Sequence, residues 1–195
     1  MTLPHGLRVA WGEVAGGAER RSVSRALVSE LLPGARLSSR CARCGGDHGR
    51  LRVSGVAAAA SVSYAGGWAV VATLEGEGRV GLDAVPADAS GLDRVMPGAD
   101  AWAWARLEAV VKADGRGLEI DPARVRIDAR DDGTWIGAID DGPAFDGYDV
   151  EGPEGVVVAV AVLPATPRQT CGARDERRTR GERRTETAIR SSPRP

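Results

Sequence analysis

The sequence predicts an α+β fold of two similar halves, each a small antiparallel sheet packed on one helix, related by a pseudo-twofold axis. Three observations lead there. Short apolar runs with strand-like composition recur along the chain, separated by Gly- and Pro-containing breaks. Two stretches carry helical spacing together with start and stop signals. The order strand, helix, strands then appears twice, over about residues 1–78 and 79–165, as two packed halves sharing a core would require. No clear sequence repeat accompanies that order. A chain of 195 residues suits one such domain, read here as 1–165.

Residues 7–14 read as a strand. The next stretch, 18–32, places Val23, Ala26, Leu27, Glu30 and Leu31 at helical spacing and ends at Pro33-Gly34. Strands are expected at 51–54, 57–64, 68–74 and 80–85, with Gly66-Gly67 as a tight turn. Asp100 is placed to cap a helix over about 101–113, and Asp114-Gly115 to close it. Strands return at 125–128, 134–139 and 156–163. The tail, 166–195, is rich in Arg, Thr, Glu and Ser and is expected to be disordered.

Composition narrows the classes of function. Apolar residues make up 43% of the chain, ample for a core. The longest uncharged apolar run, 156–164, is far too short to span a membrane. The first residues lack the basic-then-apolar layout of a secretory signal. Three cysteines, an odd number, do not make a disulfide framework, so a reducing cytoplasm is expected, with no membrane partner. The net charge of −1 conceals nine arginines against four acids over 167–195, and 17 basic against 23 acidic residues before them. Arginine runs bind nucleic-acid phosphates. The tail's interspersed acids and lack of aromatics favour a solvated segment instead, so no nucleic-acid partner is expected.

Four groups of residues could carry chemistry. Lys112 is the chain's one lysine, every other basic position being Arg. A compact ammonium on a flexible stem is kept here rather than a planar guanidinium. Glu108 stands four residues earlier, on the same helix face, as a surface ion pair or as a functional one. Cys41, Cys44 and His48 have part of the spacing of a zinc knuckle, with only Cys171 in the tail or His5 at the N-terminus to complete it. A redox Cys-x-x-Cys lacks a thioredoxin-like setting. Alternatively, the Gly-rich stretch ending at His48-Gly49-Arg50 is a turn that offers donors to a phosphate. Asp83 ends an apolar strand, as a turn former or as a Mg²⁺ carboxylate. Ser61 and Ser63, before Tyr64 and the Gly-Gly turn, make an ordinary hairpin or the floor of a nucleotide site.

Taken together and in order, these segments resemble the phosphopantetheinyl transferases of the larger, surfactin-synthetase-activating type. Cys41 to Leu51 is similar to a stretch ending in His/Tyr-Gly-Lys-Pro. Ser63-Tyr64-Ala65-Gly66 is similar to a Ser-His-Ser-Gly strand and turn, and Val80-Gly81-Leu82-Asp83-Ala84-Val85 to Val-Gly-Val-Asp-Ile-Glu. Trp104 to Leu118 matches Trp-x-x-Lys-Glu-Ala-x-x-Lys-x-x-Gly-x-Gly-Leu, with Trp104, Glu108, Ala109, Lys112, Gly115, Gly117 and Leu118 in register. The resemblance covers roughly 40–165 and, more weakly, the helix from Arg21.

What the resemblance implies is transfer of the 4′-phosphopantetheine arm from coenzyme A to a serine of an apo acyl or peptidyl carrier protein. Asp83 and Glu108 would hold Mg²⁺, and Glu108 would also take the serine proton. Lys112 would neutralise the α-phosphate; Arg50, with Arg21, His48 and Tyr64 nearby, would meet the coenzyme A phosphates; Ser63 would touch the nucleotide. A monomer is expected from two fused halves. The chain also departs from the family. Tyr64 replaces a histidine, Val85 the second acid, Leu107 a lysine and Leu51 a proline, and the carrier-docking segment between Val85 and Trp104 is short. The small trimeric holo-carrier-protein synthases manage with one Asp and one Glu, as Asp83 and Glu108 would here. Two alternatives stand beside the enzyme: a degenerate member binding coenzyme A or a carrier without turnover, and an unrelated α+β module with a zinc knuckle.

Overall fold

Alternation decides which way each strand faces, and it sorts this chain into layers. A computed structural model describes residues 3–15, 19–41, 44–47 and 49–164. His48, Cys171 and the tail 166–195 lie outside the described residues, as does the side chain of Leu118. The first sheet runs β1-β5-β4, from β1 (Leu7–Glu13), β4 (Ala58–Ala65) and β5 (Trp68–Glu75). The second runs β6-β10-β9-β8-β7, from β6 (Gly78–Pro86), β7 (Val125–Ala129), β8 (Thr134–Ile139), β9 (Phe145–Val150) and β10 (Val156–Pro164). A small ribbon pairs β2 (Arg36–Ser38) with β3 (Arg52–Ser54). The strand pairs are antiparallel. With two α-helices among the described residues, the architecture is α+β.

Odd and even residues of β5 face different partners. Val70, Ala72 and Leu74 pack with Val80, Leu82 and Ala84 of β6 and with Val158, Val160 and Val162 of β10. Val71 points the other way, to Val28 and Leu32 of α1 (Arg20–Leu31) and its C-cap. On the far face of the second sheet, Val157, Ala159 and Ala161 meet Ala105, Ala109, Val110 and Ala113 of α2 (Ala101–Asp114). Both faces of β6 and β10 are therefore covered, which is why these strands read as near-continuous apolar runs rather than as alternating ones. No helix among the described residues is long and apolar enough to cross a membrane.

The two sheets share a connectivity. In β1-β5-β4 and in β6-β10-β9, the strand before the helix pairs with the last strand of its segment, which pairs with the one before it. The second sheet then continues through β8 and β7. Both expected helices form, and α2 has the ends its sequence foretells. The Asp100 carboxylate accepts from the Ala103 N–H at 2.7 Å, and Gly115 closes the helix at φ 93°, a conformation that costs a glycine nothing. The sequence reading omits β2 and β9, each too short or too polar to announce itself.

Candidate active site

Helix α2 lies directly on β6 because residue 81 has no side chain. A Cβ on Gly81 would stand 2.0 Å from the Ala109 carbonyl oxygen and 2.3 Å from the Ala113 nitrogen. Ala105, Ala109 and Ala113 are fully buried along the same stripe. Small residues on both elements thus bring the helix close. Glu108 and Lys112 flank that stripe and arrive beside Asp83, two residues along β6 on the same strand face.

Lys112 reaches across to the strand rather than along its own helix. Its Nζ donates to Asp83 Oδ1 at 2.5 Å and to Ser63 Oγ at 3.2 Å, while Ser63 Oγ donates to the same Asp83 oxygen at 2.7 Å. Asp83 and Ser63 are 6% and 7% exposed. Among the described residues, Asp83 Oδ2 accepts no hydrogen bond and Glu108 forms no ion pair with Lys112. Burial, and then the neighbouring charge of Asp83, holds the Glu108 carboxyl above its ordinary value, with Lys112 pulling it back down. Two hard oxygen donors are therefore near enough to feel each other's charge, and one has an oxygen to spare. That donor set suits Mg²⁺, which takes one or two carboxylates plus substrate phosphates. No group of three or more His, Cys, Asp or Glu side chains gathers as a metal site among the described residues.

Lys112 also lines a cleft of about 350 Å³. Its walls come from α1, the 39–51 segment, β4 and the C-terminal end of α2. The lining is basic, with Arg20, Arg21, Arg25, Arg50 and Lys112 against Asp47. Arg25 donates to Asp47 Oδ2 at 3.1 Å and to Ser39 Oγ at 3.1 Å, and Arg21 donates to the Asp47 carbonyl at 2.5 Å. The Ser39 hydroxyl, then the Arg25 charge, hold the Asp47 carboxyl below its ordinary value against desolvation.

Arg50 is different. A Cβ on Gly115 would stand 1.9 Å from its Nη1, so the guanidinium lies against the C-cap of α2. Desolvation, followed by the like charges of Arg79 and Arg52, holds its pKa below the usual arginine value, with Asp114 opposing. Among the described residues it forms no hydrogen bond or ion pair. A desolvated, crowded and unpartnered cation on a cleft wall is a ready anion site. Tyr64, by contrast, is already engaged. The Ser24 hydroxyl donates to the Arg21 carbonyl at 3.1 Å, so the Tyr64 phenol donates to Ser24 Oγ at 2.8 Å. Arg20 sits over the Tyr64 ring, 4.9 Å from its centroid.

The structure thus brings Asp83, Lys112 and Ser63 into contact, with Glu108 beside them, and places Arg21, Arg50, Tyr64 and Lys112 on the cleft wall. Ser63 is not among the cleft-lining residues; its hydroxyl is turned to Asp83. Sequence reasoning passed over Arg20, Arg25 and Asp47. The available signals were the i, i+4 spacings of Arg20 with Ser24 and of Arg21 with Arg25, which put these side chains on neighbouring ridges of α1.

A second anchor fixes α2 from its other flank. Arg106 forks onto Asp149, with Nε 3.0 Å from Oδ1 and Nη2 2.5 Å from Oδ2, and Trp135 Nε1 donates to Oδ1 at 3.0 Å. The hydrogen bond to Asp149 raises the Arg106 pKa. The fully buried Trp135 ring lies on Gly147, whose Cβ would stand 1.9 Å from it.

Comparison with known protein families and with curated protein sequences returns no match.

Proposed function

We propose that this protein is a compact Mg²⁺-dependent 4′-phosphopantetheinyl transferase, moving the pantetheine arm of coenzyme A onto a serine of an apo carrier protein. The observation that carries this reading is the grouping of Asp83, Glu108 and Lys112, with Lys112 also lining an arginine-rich cleft. The shared connectivity of the two sheets agrees with two fused halves related by a pseudo-twofold axis, with the site at their junction and the monomer as the working unit.

The residues divide the work. Arg50 and Lys112 bind the diphosphate of coenzyme A, and Arg21 supports them from α1. Tyr64, held by Ser24, forms a fixed part of the nucleotide wall. Asp83 and Glu108 hold the Mg²⁺, which when bound neutralises charge on the diphosphate oxygens. Displacement at phosphorus asks mainly for positioning and charge neutralisation. The carrier serine oxygen forms a bond to the pantetheine-side phosphorus as the bridging P–O bond breaks. The bonding pair leaves with the α-phosphate of 3′,5′-ADP, where Lys112 offsets the new charge. The serine proton passes to Glu108, directly or through one water.

Intact-mass measurement after incubation with apo carrier proteins, coenzyme A and Mg²⁺ tests the reading. A carrier gaining one phosphopantetheine group supports it. No gain with acyl and peptidyl carriers alike, from folded protein, overturns it. Coenzyme A binding in that case would leave the degenerate, binding-only member.

A further inference from the structure

Asp83 is a buried carboxylate, and a charge so placed requires a counter-charge. Lys112 supplies it at 2.5 Å from Oδ1. Ser63 donates to the same oxygen at 2.7 Å and accepts from Lys112 at 3.2 Å. Two donors therefore meet at one oxygen, and they differ in freedom. Ser63 sits on β4, buried, at the end of a single side-chain bond. Lys112 rides a four-carbon stem whose side chain is 31% exposed and reaches the cleft.

We propose that Lys112 is the resident counter-ion of Asp83, released when the Asp83–Glu108 pair takes up a divalent cation, with Ser63 as the positioning residue that keeps the carboxylate in place during the exchange. This rests on reading Asp83 and Glu108 as the cation ligands. An ammonium on Asp83 Oδ1 and a divalent cation on the free Oδ2 and Glu108 would stand a few ångströms apart and repel strongly in a partly desolvated site, which drives the ammonium off the carboxylate. The stem of Lys112 lets the ammonium turn into the cleft, where an incoming diphosphate becomes its next partner. Ser63 carries no charge and has no reason to leave. Cation uptake thus frees the lysine that meets the nucleotide, and the two ligands bind with positive, reciprocal coupling.

The chain's single lysine makes the exchange directly visible. Full-length protein labelled with ¹³Cε-lysine gives one lysine side-chain signal, followed as MgCl₂ is added without coenzyme A, with calorimetry in parallel. The signal is expected to move in step with the calorimetric binding curve. Lys112→Met should bind Mg²⁺ about tenfold more tightly, because a like charge has been removed from the site. Ser63→Ala should weaken Mg²⁺ binding about three- to tenfold, as loss of a hydrogen bond to a charged group does, and raise the Mg²⁺ needed for half-maximal transfer more than it lowers kcat. Ser63→Thr should restore both. A lysine signal that stays fixed while the heat saturates overturns the proposal. So does a folded Lys112→Met that binds no more tightly than wild type, or a Ser63→Ala with unchanged Mg²⁺ affinity. If Lys112→Met does not fold, the wild-type signal decides alone. Absence of Mg²⁺ binding in wild type also defeats the exchange. The mass assay judges the transferase reading separately, since transfer with an unmoved lysine signal defeats the exchange alone.

Discussion

Gly81 of β6 and Ala109 of α2 are in backbone contact: any side chain at 81 would enter the space of the Ala109 carbonyl oxygen. The helix that carries Glu108 and Lys112 is seated on the strand that carries Asp83 by the absence of one methyl group.

Gly81→Ala should therefore cost more than an ordinary overpacking substitution. The obstacle is backbone on a helix with a covered face, so α2 must shift as a unit. A loss of about 3 kcal/mol, at the upper end for overpacking, is expected in urea unfolding. Transfer activity should fall about 100-fold even where the variant remains folded, because an ångström of misplacement separates the acid, the lysine and Asp83.

Glu108→Gln should move stability and activity in opposite directions. The folded-state carboxyl is held above the unfolded value of 4.5, so the folded protein binds a proton more readily than the unfolded chain. Stability from this group is complete below pH 4.5 and is lost as the pH rises through the higher folded value. Near pH 7 the glutamine variant should be more stable by about 0.5–2 kcal/mol, an advantage that shrinks toward zero at pH 4. Thermal melts at the two pH values, beside a transfer assay showing near-complete loss, check the pair of signs.

Arg50→Met keeps the stem and removes a guanidinium that is desolvated and crowded by Arg79 and Arg52. Its unfolding midpoint should be unchanged or higher, since no hydrogen bond or ion pair among the described residues is lost. Coenzyme A affinity should fall about 10- to 100-fold, the worth of a charge-assisted phosphate contact, and the remaining binding should depend less steeply on salt. Calorimetry at two ionic strengths measures both.

Asp149→Ala leaves Arg106 and the Trp135 N–H without their shared acceptor. Removing one partner of a largely buried pair is expected to cost about 3–5 kcal/mol, seen as a fall in the urea midpoint. Asp149→Asn keeps the indole's acceptor and should lose roughly half as much, because the charge-assisted fork alone is weakened.

These expectations divide by how far the deciding information lies along the chain. The ends of α2 were legible because Asp100 and Gly115 act within a few residues. Strand β9 was not, because Phe145-Asp-Gly-Tyr-Asp-Val breaks its own alternation, and the reason sits on the neighbouring strand. Trp135 is paired with Gly147 and fills the space a side chain would take. The Glu108 and Lys112 spacing was legible as a helical pair, but Lys112's actual partner, Asp83, lies 29 residues away. The family resemblance makes Ser63 a nucleotide contact, yet its side chain does not line the cleft. Only the packing of β4 beside β6 turns its hydroxyl to the carboxylate. The polarity of the cleft was half visible, since the arginines of α1 announce a basic face, while Asp47's pairing with two of them depends on a loop.

Strands β4 and β6 belong to different sheets, and side chains join them. Ser61 Oγ accepts from the Leu82 N–H at 2.9 Å, and Ser63 reaches Asp83. A main-chain ladder would fix the alignment by a repeating pattern; here two hydroxyls do so. A slip of one residue, about 3.4 Å, would carry Ser63 off the carboxylate and turn an apolar neighbour toward it. On the proposed function, transfer activity would report how β4 is aligned with β6. A chain cut between β5 and β6 and reassembled from its two fragments would recover turnover only when the halves regain that alignment.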